Sequence, residues 1–233
     1  MHSTFGTSRL VRLLGHWTPV EADRSGLDFA ERTSLWVGPL EAIRLQAAQQ
    51  PVQAPPAADR KPPTAAATIR ALDEDFRRVH GVLARAIGQD PLALANLQAG
   101  DPDIGYAPFR HRHLELQRQM EPMASALRDH LRQTMRRLSP RLRELAELDA
   151  ALEDVLAVRG QKLLATTVAR LERRFRQLLP TGPGDPGAAG PPGHWLHAFG
   201  EDWRNALLAE LDLRLLPAAG LLDAVRNEHL QQA

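Results

Sequence analysis

The sequence predicts an all-α protein, a helical bundle around one long antiparallel helical hairpin with Pro-rich linkers. Three observations carry this. Apolar residues recur at spacings of three and four along most of the chain, the period of one helix face. No stretch shows the strict alternation of a half-buried strand. Prolines gather in two segments that have almost nothing apolar to bury, around Pro51–Pro63 and Pro180–Pro192.

The first element is a short helix over 8–16, with Leu10, Leu13 and Leu14 on one face and Arg9 and Arg12 off it. Thr18-Pro19 ends it. A second helix is expected from Asp28 to about Gln49. Gly38-Pro39 should kink or divide it, because proline lacks a backbone donor and clashes with the preceding turn. Together these make an N-terminal region over 1–49, followed by a Pro/Ala linker over 50–67.

The helical core spans 68–179. Its first helix runs from Thr68 to Ile87, with Ile69, Leu72, Phe76, Val79, Leu83 and Ile87 on one stripe. Residues 89–105 read as loop with one turn of helix near Leu92–Leu97. The long hairpin occupies 107–179. Pro108 suits a first helical turn, where its missing N–H costs nothing. The stripe then reads Leu116, Met120, Met123, Leu127, Leu131, Met135 and Leu138, and it keeps phase across Pro122. Ser139-Pro140 is a cap and first turn for the second arm. That arm carries Leu142, Leu145, Leu148, Leu152, Val155 or Leu156, Leu163, Thr167, Leu171, Phe175 and Leu178. At about 1.5 Å per residue the arms would measure roughly 45 Å and 60 Å.

A Gly/Pro linker over 180–193 leads to C-terminal helices over 194–233, expected to pack on the core. Phe199, Trp203, Leu207, Leu211 and Leu215 share a face. Pro217 is expected to break this helix, with a new one resuming over 220–230.

Charge is patterned in blocks. From Ala107 to Arg143 there are nine arginines and three acids; from Glu144 to Asp154, five acids and no base; from Arg159 to Arg176, six bases and one acid. Folding the hairpin at Ser139-Pro140 sets the acidic block beside Arg128 and Arg132. The other end is basic on both arms, at Arg110, Arg112, Arg118, Arg159, Lys162, Arg170, Arg173 and Arg174. These eight residues are the candidate docking surface. Glu201–Glu228 carries six acids against three arginines and Val20–Glu41 five against two, and one or both are the expected internal cover for that end. Asp149 and Arg159 both fall on the apolar stripe, where an unpaired charge costs several kcal/mol. They are the candidate buried polar pair.

Composition narrows the function. The chain has 233 residues, no cysteine and a net charge of +1, so disulfide frameworks, thiolate chemistry and a global pull toward polyanions are excluded. Aromatics make up only 5%, so the four tryptophans are best read as core anchors. His111 and His113, at i and i+2, point to different sides of a helix and read as surface histidines. His194, His197 and Glu201 share a face without a fourth ligand, so no metal is expected. No phosphate loop, nucleophile elbow or HExxH motif occurs. No catalytic residue and no cofactor is expected.

Five segments resemble an uncharacterised proteobacterial helical family, domain of unknown function 3348. They are Leu10–Leu14, Phe29–Arg32, Tyr106–Arg110, Leu163–Thr166 and Leu207–Arg214, spread over nearly the whole chain. The resemblance implies a small helical cytoplasmic protein without an assigned activity, and a partner in an envelope-associated complex. It carries over no functional residue. The chain has no leader-like N-terminus and no run of the roughly 20 apolar residues that spans a membrane. The expectation is therefore a cytoplasmic, non-enzymatic interaction or scaffold protein, self-associating as a homodimer through the hairpin's leucines. The alternative is a nucleic-acid-binding accessory protein that uses the Arg-rich hairpin end. Glu115, Glu121 and Asp129 interrupt that surface, so nucleic acid is the less expected partner.

Overall fold

The structure is a computed structural model that describes residues 8–17, 39–48, 65–92, 105–179 and 194–232. Among these residues every regular element is a helix: α1 (Arg9–Trp17), α2 (Pro39–Ala48), α3 (Ala65–Gly88), α4 (Ala107–Leu138), α5 (Pro140–Leu178) and α6 (His194–Gln232). The chain is all-α. Residues 18–38, Trp36 among them, lie outside the described residues, as do the Pro-rich stretches 49–64 and 180–193 and the expected turn over 93–97.

Local signals explain most helix ends. α2 begins at Pro39, in the first turn, where proline is tolerated. The hydroxyl of Ser139 accepts from the Leu142 amide at 3.1 Å, an N-cap for α5. The Arg143 guanidinium donates to the Arg136 carbonyl at 3.1 and 3.2 Å and satisfies the end of α4. α3 begins at Ala65, three residues before the expected start at Thr68, because alanine extends a helix at little cost.

Pro217 departs from expectation. α6 runs through it unbroken. Leu211, Leu215, Ala218, Leu222 and Val225 are all buried, and their spacing of four, three, four and three keeps its phase across the proline. Burial of that face outweighs one missing hydrogen bond. α4 treats Pro122 the same way: Leu116, Met120, Leu127, Leu131 and Met135 are buried on a single stripe.

The chain divides into two compact units. Unit 1 comprises Met1–Val20, Arg78–Ala124 and Lys162–Leu216; unit 2 comprises Glu21–Arg77, Ser125–Gln161 and Pro217–Ala233.

Unit 1 is centred on aromatic rings. Phe109 meets Phe199 edge-to-face at 4.9 Å and Trp203 at 5.8 Å, and Phe175 meets Phe199 at 5.0 Å and Trp195 at 5.3 Å. Each such pair adds about 0.5–1.5 kcal/mol beyond its buried area. Within this unit α4 and α6 run parallel, since Phe109 faces Phe199, Gln117 faces Glu210 and Glu121 faces Arg214. α1 adds Leu10, Leu14 and Trp17 to the core, one position beyond the expected helix end.

Unit 2 buries Leu72, Leu127, Leu131, Met135, Leu142, Ala146 and Val225. Here the end of α4 and the start of α5 pair in antiparallel sense. Arg136 holds Glu147 at 2.7 Å, Arg132 holds Asp149 at 2.7 Å, and Arg128 holds Glu153 at 3.0 Å. Arg226 of α6 is bonded to Asp73 of α3.

Candidate functional site

Two clusters of buried or half-buried charge and a set of exposed cations stand out. The first cluster lies between α4 and α6 of unit 1. The side chains of His113 and Glu210 are both fully buried, with His113 Nε2 at 3.2 Å from Glu210 Oε2. Gln117 donates to both carboxylate oxygens, at 2.9 and 3.0 Å. Arg214 donates to Glu210 Oε1 at 2.9 and 3.1 Å, and it also pairs with Glu121. Burial holds the Arg214 guanidinium below the usual arginine range. In unit 1, His113 Nδ1, Thr167 Oγ1 and Trp203 Nε1 are buried without a hydrogen-bond partner. His113 is therefore not the surface histidine its arginine-rich neighbourhood suggests. It falls on the stripe Phe109, His113, Leu116, Met120, which is wholly buried.

The second cluster lies in unit 2. Asp149 accepts from Arg128 at 2.6 and 2.8 Å and from Arg132 at 2.7 Å. Glu153 completes it, at 2.7 Å from Arg132. Desolvation pulls the Arg132 guanidinium down, but hydrogen bonds to Glu153 and Asp149 more than offset it, and its pKa is raised. Asp149 thus takes both partners from α4. The side chain of Arg159 lies outside the described residues.

The eight docking candidates divide. Arg112 donates to buried Asp90 at 2.6 Å and to Glu115 at 3.0 Å, contacts that raise its pKa and lower that of Glu115. Arg174 pairs with Asp202 at 2.8 Å, and Arg170 reaches the Leu14 carbonyl at 3.4 Å. Arg110, Arg118, Lys162 and Arg173 are exposed and have no carboxylate partner among the described residues.

α6 carries the expected acids, but they serve other partners. Glu201 binds Arg204, Glu210 binds Arg214, and Asp212 lies 3.4 Å from Arg9 and 3.6 Å from His80. Asp202 does meet one of the eight candidates, Arg174. Among its described residues unit 1 holds fourteen Lys and Arg against eight Asp and Glu, whereas unit 2 holds eleven against twelve. Among the described residues of unit 1, then, base exceeds acid by six.

A hollow of about 450 Å³ opens beside Tyr106, Arg110, His111, Leu114 and Glu172. Tyr106 donates to the Val168 carbonyl at 2.8 Å. Burial raises its pKa, with Glu172 adding to the rise and Arg110 opposing it. His194 and His197 are exposed, and no three His, Asp or Glu side chains gather into a metal-binding group among the described residues. Nor is any described helix long and apolar enough to cross a membrane.

These features define the class: an all-α protein with one buried and one half-buried polar seam and, in unit 1, exposed cations without a carboxylate partner among the described residues. The chain belongs to the family described as protein of unknown function (DUF3348), whose model matches residues 1–227. No curated protein and no solved structure matches the chain.

Proposed function

We propose that this is a non-enzymatic interaction protein whose cationic face in unit 1 docks an acidic protein partner. One observation carries the reading: Arg110, Arg118, Lys162 and Arg173 are exposed and have no carboxylate partner among the described residues, in a unit whose described residues hold six more bases than acids. Ala165 and Ala169, both exposed, lie between Lys162 and Arg173 on α5 and leave room for a close-fitting surface. Electrostatic complementarity of this kind sets encounter rate and partner choice.

A protein partner suits the face better than nucleic acid. The side chain of Glu121 is 58% exposed and that of Glu172 is 38% exposed. Carboxylates set among the arginines repel a phosphate track but can be matched by a patterned protein surface.

The test reverses the face. Wild-type protein and the variant Arg110→Glu/Arg118→Glu/Lys162→Glu/Arg173→Glu are used to capture partners from the native bacterium. The expected result is an acidic protein retained by the wild type and lost by the variant, with the melting temperature of the variant unchanged. Duplex DNA and single-stranded RNA are titrated in parallel. Tight nucleic-acid binding that weakens about 10³-fold or more between 50 and 200 mM salt would replace this reading with the phosphate-binding one.

A further inference from the structure

Unit 2 carries a second candidate surface, with different chemistry. A groove of about 650 Å³ lies between the first turns of α5 and the last turns of α6, with Ala48 at the end of α2 also lining it. Leu142, Leu145, Leu148 and Ala224 line it. Two of its leucines are poorly covered: Leu145 is 37% exposed and Leu230, at its edge, is 74% exposed. An apolar groove beside a leucine held out in water is half of a contact.

The charges on the rim say what the other half is. Arg141 and Glu144 both line the groove, three residues apart and so nearly one turn along α5. Arg141 rests on Gln231 at 3.0 Å and lies 3.7 Å from Glu228, yet its side chain is 73% exposed. Glu144 is exposed and has no ion-pair partner among the described residues. Two opposite charges one turn apart are self-complementary under a two-fold axis. Crossing two α5 helices in antiparallel sense about an axis between these residues sets Arg141 of each copy against Glu144 of the other. The same operation offers each protruding Leu230 to the other copy's groove, as an isologous interface requires.

We infer that this groove is a homodimer interface and that its occupant is a second copy of this chain. Leu230 fills it, and the reciprocal Arg141–Glu144 pairs set its orientation. The interface belongs to unit 2, so it is independent of the cationic face of unit 1.

Charge exchange tests this directly. Sedimentation equilibrium over a concentration series is run on the full chain as wild type, Arg141→Glu, Glu144→Arg, the double exchange Arg141→Glu/Glu144→Arg, and Leu230→Glu. The wild type should be a dimer. Each single charge variant should dimerise about tenfold more weakly or worse, because two facing charges become alike at both ends of the interface. The double exchange should restore the wild-type constant. The two single variants, mixed, should associate with each other in preference to themselves, since every facing pair is then opposite in sign. Leu230→Glu should be monomeric. The three substituted residues, Arg141, Glu144 and Leu230, are all exposed, so far-ultraviolet circular dichroism should be the same throughout. A monomeric wild type overturns the inference. So does a dimer indifferent to Leu230→Glu, or a double exchange no better than the single variants, because either result assigns the groove to something other than a second copy.

Discussion

His113 of α4 and Glu210 of α6 meet at 3.2 Å with neither side chain open to solvent. A charge in that position is tolerable only because three side chains donate to one carboxylate: His113, Gln117 and Arg214. Replacing Glu210 by Ala takes this acceptor from His113 and Gln117 and leaves Arg214 with Glu121. The expected loss is about 3–5 kcal/mol, the range found when one partner of a buried ion pair is removed. Glu210→Gln, which keeps the volume and one acceptor, should lose less. Urea unfolding followed by circular dichroism measures both, and a loss below about 1 kcal/mol for Glu210→Ala would show that water reaches the seam.

Tyr106 is the chain's one tyrosine, so its titration can be read from absorbance. Its phenol is raised in the folded protein by burial, and the hydroxyl must stay protonated to donate to Val168. In the unfolded chain it ionises near the ordinary value of about 10. Above that pH the unfolded state releases a proton that the folded state keeps, so stability falls as pH rises from about 10 toward the folded value. Tyrosinate absorbance should appear only above the ordinary range and together with unfolding. Tyr106→Phe should remove this part of the alkaline slope.

Asp149 binds two guanidinium groups, and Arg132 is a buried one. Asp149→Ala removes their shared acceptor and leaves Arg132 with Glu153 and Asp129. The expected loss is about 2–4 kcal/mol, near the lower part of the buried-pair range because two carboxylates remain. Asp149→Ala/Arg132→Met should recover part of it, since an apolar chain of similar length needs no counter-charge. Thermal unfolding of the single and double variants measures the coupling.

Periodicity located the helices because burial follows the helical repeat closely here. Leu72, Leu83 and Ile87 of α3 and Leu116 through Met135 of α4 are buried as their spacing implies. It failed where a local rule competed with that repeat. Pro217 looks like a stop signal, but the stripe from Leu211 to Val225 passes through it in phase, and the longer-range pattern wins. The buried seam at His113 and Glu210 was present in the same spacing. His113 lies four residues after Phe109 and three before Leu116, and Glu210 lies three after Leu207. Residue type hid both, since histidine among arginines and glutamate among acids read as solvated. Leu145 shows the opposite limit. Its place on a stripe is plain, but its exposure depends on what covers α5, and spacing along one helix contains nothing about that.

The contacts that close unit 1 are far apart along the chain. His113 and Glu210 are 97 residues apart, and Arg9 and Asp212 are 203 apart. During synthesis the α4 seam therefore leaves the ribosome with His113, Phe109 and Gln117 facing nothing, and it stays so until residues 199–214 follow. At about 5–20 residues per second that interval lasts roughly 5–20 seconds. Through it an apolar stripe with half a polar seam is open to water and to neighbouring chains. The imidazole and the amide keep that stripe from being uniformly greasy while it waits. A seam that costs stability in the finished protein can thus be of use to the unfinished one, as a polar interruption that disfavours mispaired helices.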